Sequence, residues 1–467
     1  MRSDDRNKCV IASEAKQSLS GIDCFVGRLR RPPRNDTTRV FFLFYFIFFL
    51  FLPSALAVEA GDALTLGRAY ELALKRSEDI AIKAEVIHEA EAHFYRALSG
   101  VLPKVSFVIT RQEQEVGSAG ETSEFGENAS SSALRRTTHQ KKFAFSQPLF
   151  SGFKEFAALQ GVGAEKAQRF FEKKRAEELL FVDVMEAFYA VMEARRDVAI
   201  VEMIQKALKE RVKELEERAR LGRSRDSEVQ TAVVDQKTSE YDAQVAKRME
   251  AVARELLEFY IGREISGELV DKGRDRAPQD VSYYAAKAND RFDLKAAKEA
   301  HVLAQKNVIV AQSGFFPTAR LDGNYYTERV GFQSGIDWDL LFTIDIPLFD
   351  GWQTVGEVKE AAALREEARL FAEKTKRLAT LDVKNAHQEF ASSLLEEKAL
   401  SGALEASKKS YELQAGEYRM NLVNNLEVLD ALRRYQETNR RFNAAHFEAR
   451  KNFWKLKVAA GEEIVSL

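Results

Sequence analysis

The chain has 467 residues, with 70 Lys and Arg against 72 Asp and Glu and 30% charged residues overall, so it lacks the basic excess that binds nucleic acid. Its length fits two or three ordinary domains or one elongated repeat protein. Both cysteines, Cys9 and Cys24, stand near the start, which leaves nothing for a disulfide framework or a thiolate metal site further on.

Residues 1–39 are polar and basic, with Arg28, Arg30, Arg31, Arg34 and Arg39 close together. Residues 40–52 (VFFLFYFIFFLFL) are an unbroken run of 13 apolar residues, and Pro53-Ser54-Ala55-Leu56-Ala57 then supplies an A-x-A ending. Basic lead, short apolar core and small-residue site read as a secretory signal peptide over 1–57, cut after Ala57, with a lead longer than a signal needs. The run is too short to span a membrane comfortably. Nine Lys/Arg and five Asp/Glu precede the cut, so the exported chain carries 61 basic against 67 acidic residues and no cysteine.

Residues 63–101 repeat apolar positions at helical steps (Leu66, Ala69, Ala73, Ile80, Ala84, Ile87, Ala90), and Gly100 and Pro103 end the run. Val105, Phe107 and Ile109 then alternate with polar residues as in a strand, and a Gly/Ser/Glu-rich loop covers 116–134. The chain returns through Phe143, Phe145 and Pro148 into PLFSG. Residues 153–221 are helical throughout, with a heptad-like seam at Val201, Ile204, Leu208, Val212, Leu215 and Ala219. Such a run reaches about 100 Å, far beyond an ordinary globular helix. A break at 221–226 leads to a returning helix up to Ile261, and residues 262–278 read as a charged, irregular linker.

The second half replays the first. Asp293-Leu294 and Pro317 stand 214 residues beyond Asp79-Ile80 and Pro103. Thereafter the offset is 199, through Pro148/Pro347, Gly152/Gly351, Glu228/Glu427, Ala232/Ala431 and Gly262/Gly461. The change falls between the paired prolines, so the first hairpin loop is longer. A register held this far predicts an internal duplication, with repeats over 58–277 and 278–467.

The most regular strand signal is residues 336–346 of IDWDLLFTIDIPLFDG. One face carries Ile336, Trp338, Leu340, Phe342 and Ile344, the other Asp337, Asp339 and Asp345. Eleven alternating positions match a tilted bilayer-crossing strand. Four such strands cannot close alone in lipid, because every backbone amide must be paired and the smallest barrels have eight strands. Copies must pool their strands, giving eight from two copies or 12 from three.

The duplicated plan, the P-L-F-x-G after each second strand, and Glu417-Tyr418-Arg419-Met420-Asn421 leading into Glu427-Val428-Leu429-Asp430-Ala431 resemble the TolC-type outer-membrane efflux proteins. The resemblance covers essentially all of 63–467. It implies a mainly α fold with a membrane β-barrel: a homotrimer whose 12-stranded barrel in the outer membrane continues into a helical tunnel through the periplasm. It further implies a passive efflux or type I secretion duct, gated at the periplasmic tip and fed by an inner-membrane transporter through a periplasmic adaptor. Such ducts catalyse nothing, and the sequence does not choose among drugs, metal ions and proteins as cargo. The family usually places glycine at both helix–helix tips. Here Gly222 fits and Asn421 replaces the second, a residue that tolerates the left-handed conformation.

Glu427 and Asp430, three apart, share a helix face beside that tip, and three copies would make a carboxylate ring at the tunnel entrance. Tyr418 and Glu228 fall where the resemblance suggests an inter-helix phenol–carboxylate bond holding the tip shut. Asp337, Asp339 and Asp345 are expected to face the barrel lumen, and Ile336, Trp338, Leu340, Phe342 and Ile344 to face lipid. Phe150, Phe315, Phe316, Phe349 and Trp352 are placed like an aromatic girdle at the strand ends. His88 and His93, five apart, lie off one helix face, Gly161 and Gly163 complete no phosphate loop, and no nucleophile motif appears, so neither metal, cofactor nor enzyme is assigned. The competing reading is a secreted periplasmic coiled-coil scaffold or adaptor with a small soluble sheet.

Overall fold

The computed structural model describes residues 63–113, 137–271, 277–330 and 333–462. The expected leader over 1–57 and the loop over 116–134 lie outside the described residues.

The helical periodicity of 63–101 resolves into two helices, α1 (Leu66–Arg76) and α2 (Glu78–Leu98). Ser77 breaks them. Its N–H donates to the Ala73 carbonyl at 2.8 Å, and its hydroxyl accepts from the Ile80 N–H at 3.4 Å. One serine thus ends one helix and caps the next, a local competition that apolar spacing does not report. Before α1, β1 (Leu64–Thr65) pairs in parallel with β4 (Leu269–Val270), so the expected irregular linker contributes a strand. Just past that linker stands a short helix, α5 (Val281–Lys287), capped by Asp280.

Between these lie β2 (Lys104–Glu113), β3 (Thr137–Ser151), the 67-residue α3 (Lys154–Arg220) and the returning α4 (Asp226–Ile261). After α5 the same series recurs as α6 (Phe292–Gln312), β5 (Thr318–Arg329), β6 (Trp338–Asp345), the 67-residue α7 (Gln353–Arg419) and α8 (Asn425–Ala459). No proline interrupts either long helix, and i,i+3 pairs such as Lys174–Glu177 and Arg175–Glu178 run along α3.

The backbone carries both sequence offsets. α2 and α6 begin and end 214 residues apart, and α3 and α7 begin and end 199 apart. Left-handed positions coincide at Phe153 and Trp352 (φ 67° and 73°), Gly222 and Asn421 (φ 69° and 60°), and Gly262 and Gly461 (φ 69° and 70°). The two hairpins also share a register: Phe107 opposite Phe143 becomes Leu321 opposite Phe342.

The main core gathers Phe181, Phe188 and Tyr189 of α3 with Ala69 and Ala73 of α1, Leu257 of α4, and Phe447 and Trp454 of α8. The Trp454 indole N–H donates to the buried Tyr189 hydroxyl at 3.1 Å. Beside this core, buried Arg291 holds Asp293 at 2.6 Å and Asp382 at 3.0 Å, tying α6 to α7. Burial lifts the neighbouring Glu178 carboxyl above its usual range even though Arg175 donates to it at 2.7 Å. The predicted seam of α3 is an interior line, with Val201, Ile204, Leu208, Val212 and Leu215 all buried.

Near the sheet the helices lie side by side in the order α2, α3, α6, α7; toward the other end the order is α4, α3, α8, α7. The flanking helices are therefore α2 and α4 on one side and α7 on the other.

Candidate functional site

Two regions carry the candidate chemistry: the four-stranded sheet at one end of the long helices and the paired helical tips at the other. The sheet is antiparallel in the order β2-β3-β5-β6. Its pairings bring Val105, Phe107 and Ile109, then Phe143 and Phe145, then Leu321 and Tyr325, then Trp338, Leu340, Phe342 and Ile344 onto a single face. Among the described residues no helix covers that face: Trp338 is 67% exposed and Phe342 55%. On the opposite face Asn324 and Tyr326 donate to Asp339 at 2.7 and 2.8 Å, and Ser146 donates to Asp322 at 2.6 Å.

The strand expected over 336–346 is shorter, running from Trp338 to Asp345. Ile336 and Asp337 lie between it and a preceding turn, although the Asp337 carbonyl still accepts the Tyr326 N–H at 2.7 Å. At the other end Pro347 offers no N–H for a ladder and restricts Ile346 before it. Asp339 and Asp345 thus sit on the polar side of β6, and Asp337 stands just outside it.

Where the sheet meets the long helices, Phe153 packs edge-on against Phe150 (5.2 Å between centroids) and Phe316 (6.4 Å). Phe315, Phe349 and Trp352 line a small cavity of about 190 Å³ there. All five residues expected at a girdle are therefore at this one junction.

At the far end both hairpins turn by the same device. The Gly222 N–H bonds the Ala219 carbonyl at 2.9 Å and the Arg223 N–H the Arg218 carbonyl at 2.9 Å; Asn421 and Leu422 repeat this onto Tyr418 and Glu417. Asn421 also accepts from Arg218 at 3.3 Å, a link between the two tips that glycine could not make. Gly222→Ala is expected to cost about 1 kcal/mol in thermal unfolding by forcing a Cβ into the left-handed region, with nothing within 4 Å to compensate.

Tyr418 is buried among Leu208, Val212 and Leu215 of α3 and Val428 and Leu429 of α8. The guanidinium centres of Arg211 and Arg218 lie 3.7 and 4.4 Å from its ring centroid. Arg211 also donates to Asn425 at 2.9 Å and pairs with Glu214 at 2.9 Å. The expected phenol–carboxylate bond does not form: Glu228 accepts from Ser224 at 2.6 Å, and no hydrogen bond joins it to Tyr418 among the described residues. The physical reason is burial. The Tyr418 ring lies inside the tip core, so its faces carry the interaction instead of its hydroxyl. Arg211 and Arg218, seven apart on one helix face, are the residues the sequence reading missed; that spacing opposite an aromatic was the available signal.

Glu427 closes a capping box with Asn424, accepting from its side chain at 2.8 Å while donating its own N–H at 3.0 Å. Asp430 pairs with Arg434 at 2.8 Å. Beside the second tip Glu427 is exposed and Asp430 half-buried. His88 and His93 go to separate carboxylates, Glu91 and Glu165, each at 3.1 Å.

Set beside known proteins, residues 283–462 match the family model for outer membrane efflux protein. The outer membrane protein TolC of Vibrio cholerae is 22% identical over 318 residues, which cover 64% of this chain and 72% of that protein. The outer membrane protein OprJ of Pseudomonas aeruginosa is 28% identical over 148 residues, 31% of each. Among solved structures, the outer membrane protein VceC of Vibrio cholerae superposes with a TM-score of 0.74 at 17% identity, over 85% of this chain and 96% of that one. An uncovered apolar sheet face, two hairpins of matched long helices in one register, and these likenesses give the chain the fold of the outer-membrane channels, with its second half matching the outer membrane efflux protein family model.

Proposed function

We propose that this chain is one third of a passive outer-membrane duct that receives cargo from an inner-membrane transporter through a periplasmic adaptor. The observation that carries the reading is the sheet. It has one uncovered apolar face and two outer strands, β2 and β6, each with no outer neighbour among the described residues. Such edges are not tolerated in lipid, so the sheet needs other copies, and three give a 12-stranded barrel. Its apolar face, from Trp338 to Ile344, then meets lipid, while Asp339 and Asp345 face the lumen with Asp337 at its rim. The aromatic cluster at the junction with the helices occupies the membrane–water boundary. The helices continue the ring as a tunnel, and the duplication supplies each copy with two equivalent staves, residues 58–277 and 278–467. The duct performs no chemistry of its own.

The test is where the protein resides and how many chains it contains. Membrane separation followed by light scattering of the detergent-extracted particle is expected to give an outer-membrane trimer. A water-soluble monomer or dimer sinks the duct and favours a periplasmic scaffold.

At the tip, Glu427 and Asp430 in three copies place six carboxylates around the entrance, and the Arg211–Tyr418–Arg218 stack holds the two hairpins of each copy together. Glu427→Gln with Asp430→Asn is expected to reduce the cation preference of reconstituted channels. Unaltered reversal potentials and conductance would remove the ring from the mechanism.

A further inference from the structure

A short way up from the tips, α3, α4 and α8 enclose a cavity of about 170 Å³. Two of its sides are hydrocarbon: Ile204 and Leu208 of α3, and Leu429 and Leu432 of α8, all four buried. The third side is polar. It is made by Asp235, Ser239 and Asp242 of α4, which share one helix face at steps of four and three. These groups are short of partners. Ser239 is 3% exposed, and its hydroxyl meets no hydrogen-bond partner within the cavity wall. The buried Oδ2 of Asp235 has none either, although its Oδ1 accepts from Arg433 at 2.5 Å. Asp242 is half-buried and enters no ion pair among the described residues. Two carboxylates against the single Arg433 guanidinium leave the lining with a net charge of −1. The geometry points to a binding site for a small primary alkylammonium ion, its N–H groups on Asp235 Oδ2, Ser239 Oγ and the Asp242 carboxylate and its stem along the four apolar side chains.

Size and donor chemistry select that class. An oxygen buried against hydrocarbon without a partner is costly, so a donor belongs beside it, and a cation also closes the charge balance. A cavity of about 150 Å³ takes benzene, so this one holds a stem of roughly five carbons with its ammonium head. A divalent cation calls for about six oxygens and would face hydrocarbon on two sides. No group of three or more His, Cys, Asp or Glu is placed to hold a metal among the described residues. Helix packing does not by itself demand these carboxylates. The positions 199 residues beyond Asp235 and Asp242 are Arg434 and Arg441, each paired within α8, to Asp430 at 2.8 Å and Glu437 at 2.5 Å. The acidic face therefore belongs to α4 alone and is not a product of the duplicated architecture. An occupant there fills the space beside the Arg433–Asp235 link, so binding braces the first hairpin against the second.

Calorimetric titration of the detergent-extracted full chain with n-pentylammonium chloride tests the site, with titration into detergent alone subtracted. Saturable binding of one amine per chain is expected, together with a raised thermal unfolding midpoint. n-Pentanol, which keeps the stem and loses the charge, should bind at least tenfold more weakly. Asp242→Asn and Ser239→Ala should each weaken the amine at least tenfold. Glu427→Gln with Asp430→Asn, at the tip carboxylates, should leave its affinity unchanged. If Ser239→Ala fails to accumulate, Asp242→Asn carries the test, because Asp242 holds no ion pair that folding depends on. Four results overturn the site: no saturable binding, which leaves a cavity for water only; pentanol binding as tightly as the amine, which leaves an apolar hole; magnesium displacing the amine where sodium at matched ionic strength does not, which makes it a metal site; or affinity lost in the tip variant and kept in Asp242→Asn, which puts the amine at the tip. None of these outcomes depends on how many chains the particle contains, so a monomeric particle that binds the amine sinks the duct and leaves the site standing.

Discussion

Phe342→Arg is expected to abolish accumulation of the proposed trimer in the outer membrane, whereas Leu341→Arg, one residue away, leaves it close to normal. The two residues are both apolar and almost equally exposed, at 55% and 59%. Composition does not distinguish them. Strand parity does: Phe342 pairs with Leu321 on the apolar face, and Leu341 with Asp322 on the polar one. An arginine at lipid depth costs about 2–4 kcal/mol, so three copies lose roughly 6–12 kcal/mol, of the order of a domain's whole stability. On the other face the guanidinium stands opposite a carboxylate in water. The measurement is the outer-membrane yield of each variant and the mass of the extracted particle. Equal damage from both variants, or from neither, would mean that the sheet does not present its faces to lipid and lumen as assigned.

The second large effect is expected at the tip. Tyr418→Ala removes a buried ring and the platform for two guanidinium groups, a change worth about 3–5 kcal/mol from the ring alone. If the closed tip is the state this stack stabilises, about 3–5 kcal/mol moves the closed–open equilibrium by roughly two to four orders of magnitude. Bilayer recordings should then show a several-fold higher mean conductance. Tyr418→Phe keeps the ring and loses only a hydroxyl without a hydrogen-bond partner among the described residues, so it should behave as the parent does. The reverse pattern, an opening Tyr418→Phe, would restore the phenol lock; two silent variants would leave the stack as packing.

What could be read from the sequence was what depends on period and order. The matched long helices, the apolar face of β6 and the left-handed tip at Asn421 each follow from spacing or from one residue's backbone preference, and the structure places them accordingly. The break at Ser77 did not show, because a serine cap costs one hydrogen bond and leaves the apolar rhythm intact. The β1–β4 pair did not show either, since two residues pairing with two others some two hundred positions away have no periodicity. The partners of Tyr418 were misread for a third reason: a ring buried between helices distant in sequence is described by its faces, and a carboxylate one turn beyond a neighbouring tip is a chemically reasonable but geometrically absent alternative. Glu427 is a milder case. Its spacing from Asn424 encoded a capping box as plainly as its spacing from Asp430 suggested a ring, and the structure realises the former within a single copy.

The equal length of α3 and α7 makes the molecule a ruler. Each residue added to one of these helices advances its tip by about 1.5 Å and turns it by roughly 100°, so an unmatched insertion would both lift one hairpin out of the common rim and rotate its contact face away. Reach can therefore change only in step, by paired insertions of about seven or 11 residues that bring each face back to its starting side. The distance from membrane to docking end is thus a quantity the chain states twice, each copy of the number checking the other.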